Sequence, residues 1–225
     1  MSATLPLTSD RGTAERLQRR ASTLVARPLF WLTVVLAGLS VPIVNQLRRP
    51  PVPPLPVLGT LADFRLTDQD GRPFGAAELR GKVWLAGFIF TRCPTICPAL
   101  TARMAKIQRR ARGIDQHFRL VSFSVDPAYD TPARLTEFGR RYRASPRLWR
   151  FLTGPMDEVK STVEGGLKIA MGMPQGEQDF ASIFHGTHFV LVDRQLRIRG
   201  YYDSSGTDVE DRVLHDAAML INRGD

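Results

Sequence analysis

Cys93 and Cys97 are the only cysteines in this 225-residue sequence, and they lie four apart in Phe90-Thr91-Arg92-Cys93-Pro94-Thr95-Ile96-Cys97-Pro98. At that spacing both sulfurs fall on one side of the chain if the turn is helical, close enough to share a soft metal ion or form a disulfide. The segment follows an apolar run and precedes a helical pattern. Backbone N–H groups and the positive dipole end at a helix start favour thiolate over thiol. Pro98 suits an early helical position, and Pro94 restrains the loop between the sulfurs. A stabilising disulfide would gain little by closing so short a loop. Inert buried thiols would not need two prolines around them. Two cysteines are also too few for a four-thiolate zinc site or a disulfide-stapled miniprotein.

Four histidines could add a nitrogen donor. His185 and His188 are three apart, so on an extended chain they point to opposite sides. His185 precedes a strand pattern, where a loop could reach the cysteines, whereas His188 lies within the strand's start. His117 and His215 read as surface residues on a loop and on the last helix. Cu(I) is soft and prefers thiolates, and an imidazole can complete a three-coordinate site. Zinc usually takes a fourth protein ligand. Oxidation to a disulfide would act as a switch, because only the dithiol can hold the metal.

The elements that must position these groups follow from patterning. LADFRLTDQDGRPF alternates apolar and polar residues around Asp70-Gly71, which predicts a strand pair joined by a tight turn. KVWLAGFIF (82–90) and FRLVSFSVD (118–126) are continuous apolar runs, expected of strands buried on both faces. From Pro98 onward, Leu100, Met104, Ile107 and Ala111 recur at helical spacing. Thr131-Pro132 opens another helix, with Thr131 as N-cap and Leu135, Phe138 and Tyr142 on its apolar face. RLWRFLTG predicts a short strand, and MDEVKSTVEGGLKIA a helix weakened by Gly165-Gly166. After the polar stretch GMPQGEQDFASIFHG come a hairpin, HFVLVDRQLRIRGYYD, and a closing helix, DVEDRVLHDAAMLINR. This order is that of an α/β protein with a central sheet covered by helices.

Charge and hydropathy divide the chain. The formal net charge is +9. Residues 1–27 hold five arginines against Asp10 and Glu15, and Arg48 and Arg49 add two more, whereas the chain from Pro50 onward has 24 basic against 20 acidic residues. More than half of the surplus therefore flanks the charge-free PLFWLTVVLAGLSVPIVNQL. That segment would span roughly 30 Å as a helix, the thickness of a bilayer's hydrocarbon core. We expect a basic cytoplasmic tail at 1–27, a transmembrane anchor at 28–47, a proline-rich spacer at 48–56 and a folded domain at 57–225. The arginine-rich N-terminal flank places the tail inside and the domain on the periplasmic, extracytoplasmic side. Pro42 and Asn45-Gln46 weaken the last turn, and a cleaved signal peptide is the competing reading. Arg103, Lys106, Arg109, Arg110 and Arg112 look like the solvated side of a helix, so nucleic-acid binding is not expected.

FTRCPTICPAL resembles the Cys-Pro-x-x-Cys-Pro motif of the Sco/SenC family, the membrane-anchored copper proteins of cytochrome oxidase assembly. Val121-Ser122-Phe123-Ser124-Val125-Asp126-Pro127, followed by Asp130-Thr131-Pro132, is similar to a second family stretch. Phe184-His185 leading into HFVLVDRQLRIRGYY is similar to a third. The resemblance covers roughly residues 57–222. It implies a thioredoxin-like fold with an extra N-terminal β-hairpin, and copper ligands at Cys93, Cys97 and His185. His188 is then a strand residue. Asp126 falls at the family's Asp-Pro position, where capping the following turn competes with a role in the site. Phe184 stands where the family commonly has Asp.

The resemblance implies a copper metallochaperone that serves the cytochrome c oxidase subunit carrying the dinuclear copper site. Other periplasmic copper or thiol-redox proteins are further expected partners. A thiol–disulfide oxidoreductase cycling Cys93 and Cys97 to keep the oxidase's copper-ligand cysteines reduced is the alternative. A membrane-tethered copper sensor or scaffold would need an interaction module that the sequence does not show.

Overall fold

In the computed structural model, the described residues are 28–48, 53–94, 96–171 and 187–223. The chain divides into two compact units, Met1–Pro53 and Pro54–Asp225.

In the first unit, helix α1 (Pro28–Arg48) occupies the segment read as a membrane span and contains Pro42. Among the described residues, however, no helix is long and apolar enough to cross a membrane. The transmembrane reading is therefore not supported. Pro42, Asn45, Gln46 and Arg48 dilute the last turns of α1, the weakness already visible in the sequence. Leu29, Trp31, Leu32 and Leu36 are nevertheless exposed apolar side chains.

In the second unit an eight-stranded mixed sheet carries the core. Its strands are β1 (Gly59–Thr60), β2 (Arg65–Asp68), β3 (Pro73–Gly75), β4 (Val83–Ile89), β5 (Phe118–Ser124), β6 (Trp149–Thr153), β7 (His188–Val192) and β8 (Arg197–Asp203). Their order across the sheet is β1-β8-β7-β4-β5-β6-β2-β3. β4, β5 and β6 run parallel, β7 is antiparallel to β4, and β8 is antiparallel to β7. This is the thioredoxin-like arrangement. The predicted hairpin exists as β2–β3, turning at Gly71 with φ 75°, a left-handed conformation that favours glycine. It joins the sheet by pairing β2 with β6, and the four-residue helix α2 (Ala76–Leu79) follows β3.

All seven residues of β4 are buried, as its unbroken apolar run requires. Helices α3 (Ile96–Arg110) and α6 (Val209–Arg223) both pack on it. Gly87 lets α3 approach closely, since a Cβ there would lie 3.3 Å from Met104 Cε. On the other face Trp84, Phe123 and Phe64 form a ring cluster with centroids 5.8–6.5 Å apart, and Phe88 stacks on Phe123. Helix α4 (Pro132–Arg141) starts as predicted: Thr131 Oγ accepts from the Arg134 N–H, with Pro132 in the first turn. Its Phe138 meets Phe151 of β6 edge-on.

Three details differ from the sequence reading. α3 begins at Ile96 rather than Pro98. After the short helix α5 (Met156–Lys160) the chain widens into a π-helical turn, Ser161–Gly166, where the glycine pair relaxes the backbone. The two-residue β1 was not expected, and it closes one sheet edge against Ile198 and Arg197.

Candidate metal and thiol site

The thiols sit where the parallel strands end. β4 stops at Ile89, Phe90 to Pro94 form the turn, and α3 begins at Ile96. Cys93 is half-buried and precedes the helix, whereas Cys97 lies in its first turn and is 1% exposed. No disulfide links them. The Cys97 backbone N–H donates to Cys93 Sγ at 3.4 Å, so the helix start does direct a donor at a sulfur. The two thiols are thereby held side by side even though Cys93 is not itself helical.

Cys97 corrects one expectation. The helix start was expected to favour thiolate at both positions. At Cys97 burial dominates and pushes the thiol well above the ordinary range, despite a backbone hydrogen bond from Phe90 that acts in the opposite direction. The pair is asymmetric: a more accessible sulfur with a helix N–H, and a buried thiol behind it.

The loop after β5 braces the cysteine turn. Val125 N–H donates to Ile89 O at 2.9 Å, extending the strand pairing. Asp130 is fully buried. It accepts from the Thr91 N–H at 3.1 Å, the Thr91 hydroxyl, and the Ser124 hydroxyl at 2.6 Å. Burial raises its carboxyl above the usual range, and these hydrogen bonds limit the rise. Asp130 therefore fixes Thr91, two residues before Cys93. The sequence reading noted Asp130 only within Asp130-Thr131-Pro132 and assigned it no role. An acidic residue reads by default as solvated, and only the fold shows it buried.

Asp126, which the sequence left between cap and site, turns the loop with its backbone and reaches the cysteine turn with its side chain. Its carbonyl accepts from the Tyr129 and Asp130 N–H groups. Its carboxylate accepts from Arg92 Nε at 2.6 Å, one residue before Cys93. The Arg92 guanidinium also lies 4.9 Å from the centre of the Tyr129 ring, and that of Arg134 lies 3.8 Å from it.

His185 and Phe184 fall in 172–186, outside the described residues, so the structure places only two of the three expected donors. Among the described residues no group of three His, Cys, Asp or Glu side chains could hold a metal ion. His188 opens β7 opposite Asp203, in keeping with a strand role. His117 and His215 are exposed on a turn and on α6, as expected. Two adjacent soft sulfurs suit a thiophilic ion such as Cu(I), which tolerates low coordination numbers, better than they suit a hard cation.

The SCO1/SenC family model matches residues 58–222. The SCO1 protein homolog of Bacillus subtilis (strain 168) is 34% identical over 154 residues, which cover 68% of this chain and 78% of that protein. Among solved structures, BsSco superposes with a TM-score of 0.66 at 32% identity, covering 75% of this chain and 98% of that one. It is described as having a disulfide switch and as a member of the Sco family of cytochrome c oxidase assembly proteins. Yeast Sco1 with copper bound superposes with a TM-score of 0.57 at 26% identity, covering 71% and 88% of the two chains.

Proposed function

The chain belongs to the SCO1/SenC family, and from that premise we propose that it is a copper metallochaperone. It takes up copper as cargo on Cys93, Cys97 and His185 and passes it toward the dinuclear copper centre of cytochrome c oxidase. The observation that carries this reading is the pair of adjacent thiols, with the Cys97 N–H 3.4 Å from Cys93 Sγ. Copper bound to yeast Sco1 supports the metal assignment. Thr91, fixed by Asp130, and Arg92, fixed by Asp126, hold the turn so that the sulfurs need little rearrangement. Uptake releases the Cys97 proton, and delivery proceeds by ligand exchange, with incoming thiolates replacing the two sulfurs in turn.

Titrating the reduced full-length chain with Cu(I) in detergent tests this. About one equivalent binds. Cys93→Ser and Cys97→Ser each abolish tight binding, and His185→Ala weakens it. Failure to bind, or binding indifferent to all three changes, rejects the reading.

A second reading is thiol–disulfide exchange with the oxidase's copper-ligand cysteines. The asymmetry of the pair favours it: Cys93 attacks a partner disulfide, and Cys97 then attacks the mixed disulfide. The partner leaves with two thiols, and this chain keeps one internal disulfide. That cycle dispenses with His185, so retention of oxidase assembly in His185→Ala, and its loss in Cys93→Ser, selects it.

We also propose that α1 holds the domain at a membrane, on its extracytoplasmic side. Its exposed apolar side chains and the arginine-rich flank support this. Retention of the chain in the membrane fraction after alkaline carbonate, with the domain open to external protease, is the expected result.

A further inference from the structure

The domain's surplus positive charge is not spread evenly. A cleft of about 550 Å³ at the N-terminal end of β5 is lined by Arg109, Arg112, Arg119, Arg143 and Arg147, with Asp115 as its one acidic residue. Other arginines nearby are neutralised: Arg103 pairs with Glu210, Arg110 with Asp211, and Arg150 with Asp68 and Asp70. Among the described residues, Arg109, Arg112, Arg143 and Arg147 have no ion-pair partner. The helix dipole accounts for cations near the end of α3, at Arg109 and Arg112. It does not account for Arg119 on β5, or for Arg143 and Arg147 on the loop before β6.

The cleft is also built. Gln108 ties its two walls, accepting from the Ser145 N–H at 2.7 Å and donating to the Arg143 carbonyl at 3.0 Å. Arg143 is held in left-handed backbone, φ 53°, unusual outside glycine. Half-buried Arg119 donates through one nitrogen to the carbonyls of Asp115 and Phe118. Burial is the main cause that lowers its pKa; Asp115 opposes the shift, and the nearby Arg147 and Arg150 add to it.

We propose that this cleft binds a compact ligand through one or more phosphoryl groups. Guanidinium forks match phosphoryl oxygens bidentately, and a concave site of this size fits a small polyanion better than a flat surface. The cleft is distinct from the thiol site. Cys97 and Arg112 are separated by roughly 22 Å at the helical rise per residue, at opposite ends of the same parallel strands.

Calorimetric titration of the full-length chain in detergent, with tripolyphosphate and separately with water-soluble dihexanoyl phosphatidic acid, tests the proposal. Saturable binding of one molecule of tripolyphosphate per chain is expected. Arg112→Glu/Arg147→Glu should weaken it about tenfold or more, while Cu(I) uptake, which reports the fold, is unchanged. The same charge change on the hairpin, Arg65→Glu/Arg72→Glu, should leave it unaltered. Binding of tripolyphosphate alone identifies a soluble oligophosphate, and binding of phosphatidic acid alone identifies a lipid headgroup. Binding of both supports the shared phosphoryl chemistry. Binding of neither, or equal weakening by the cleft and hairpin variants, overturns it. If the cleft variant loses Cu(I) uptake, Arg147→Gln takes its place and must still weaken binding.

Discussion

The Cys97 backbone N–H lies 3.4 Å from Cys93 Sγ, so the helix that buries one sulfur donates a hydrogen bond to the other. Cys93 is half-buried, and Cys97 is 1% exposed with its thiol pushed up by burial. The thiolate is the reacting species, and access limits its rate. In single-cysteine variants at neutral pH, the remaining Cys93 in Cys97→Ser should alkylate with iodoacetamide at least about tenfold faster than the remaining Cys97 in Cys93→Ser. Equal rates would remove the asymmetry on which the exchange mechanism rests.

Copper uptake should depend on pH. With the Cys97 thiol raised, the proton is still bound at neutral pH and must leave when the metal enters. Apparent Cu(I) affinity therefore rises with pH, by up to about tenfold per pH unit for each proton released. Competition against a chromophoric Cu(I) chelator from pH 6 to pH 8 measures it. A flat profile would mean that Cys97 is not a ligand or is not protonated.

Asp130 should matter through the turn it holds. Asp130→Ala leaves the Thr91 N–H and two hydroxyls without their acceptor in a buried site, at a cost of about 2–3 kcal/mol. The sign of the pH effect follows from its raised carboxyl. The folded state holds that proton at pH values where the unfolded chain has released it, so the group's contribution is fully present below the ordinary Asp range. It is lost as pH rises through the raised value. Urea unfolding across the acidic range should show Asp130→Asn losing less stability than the wild type over that rise.

The Arg92–Asp126 pair should behave differently. Arg92 is 42% exposed along its side chain, and such pairs contribute little to stability. Arg92→Ala should change unfolding free energy by no more than about 1 kcal/mol and yet alter the exchange rate of Cu(I) at the adjacent sulfur. A larger stability loss would make the pair structural rather than positioning.

Much of this was legible in the sequence because it is local. The unbroken apolar run of β4, the Thr131-Pro132 helix start, the Asp70-Gly71 turn and the two cysteines between strand and helix each follow from neighbouring residues. What escaped depends on distant contacts. β1 is two residues long and exists only by pairing with β8. Asp130 is buried because the ends of β4 and β5 converge on it. The arginine cleft draws on α3, β5 and the loop before β6, so the sequence showed only its helical part, as an ordinary solvated face.

The most direct test of the central claim is the copper-edge X-ray absorption spectrum of the Cu(I)-loaded full-length chain. The proposed site predicts two sulfur donors and one imidazole nitrogen, with the nitrogen contribution gone in His185→Ala and sulfur reduced in Cys93→Ser. A spectrum without sulfur, or one that His185→Ala leaves unchanged, would contradict it.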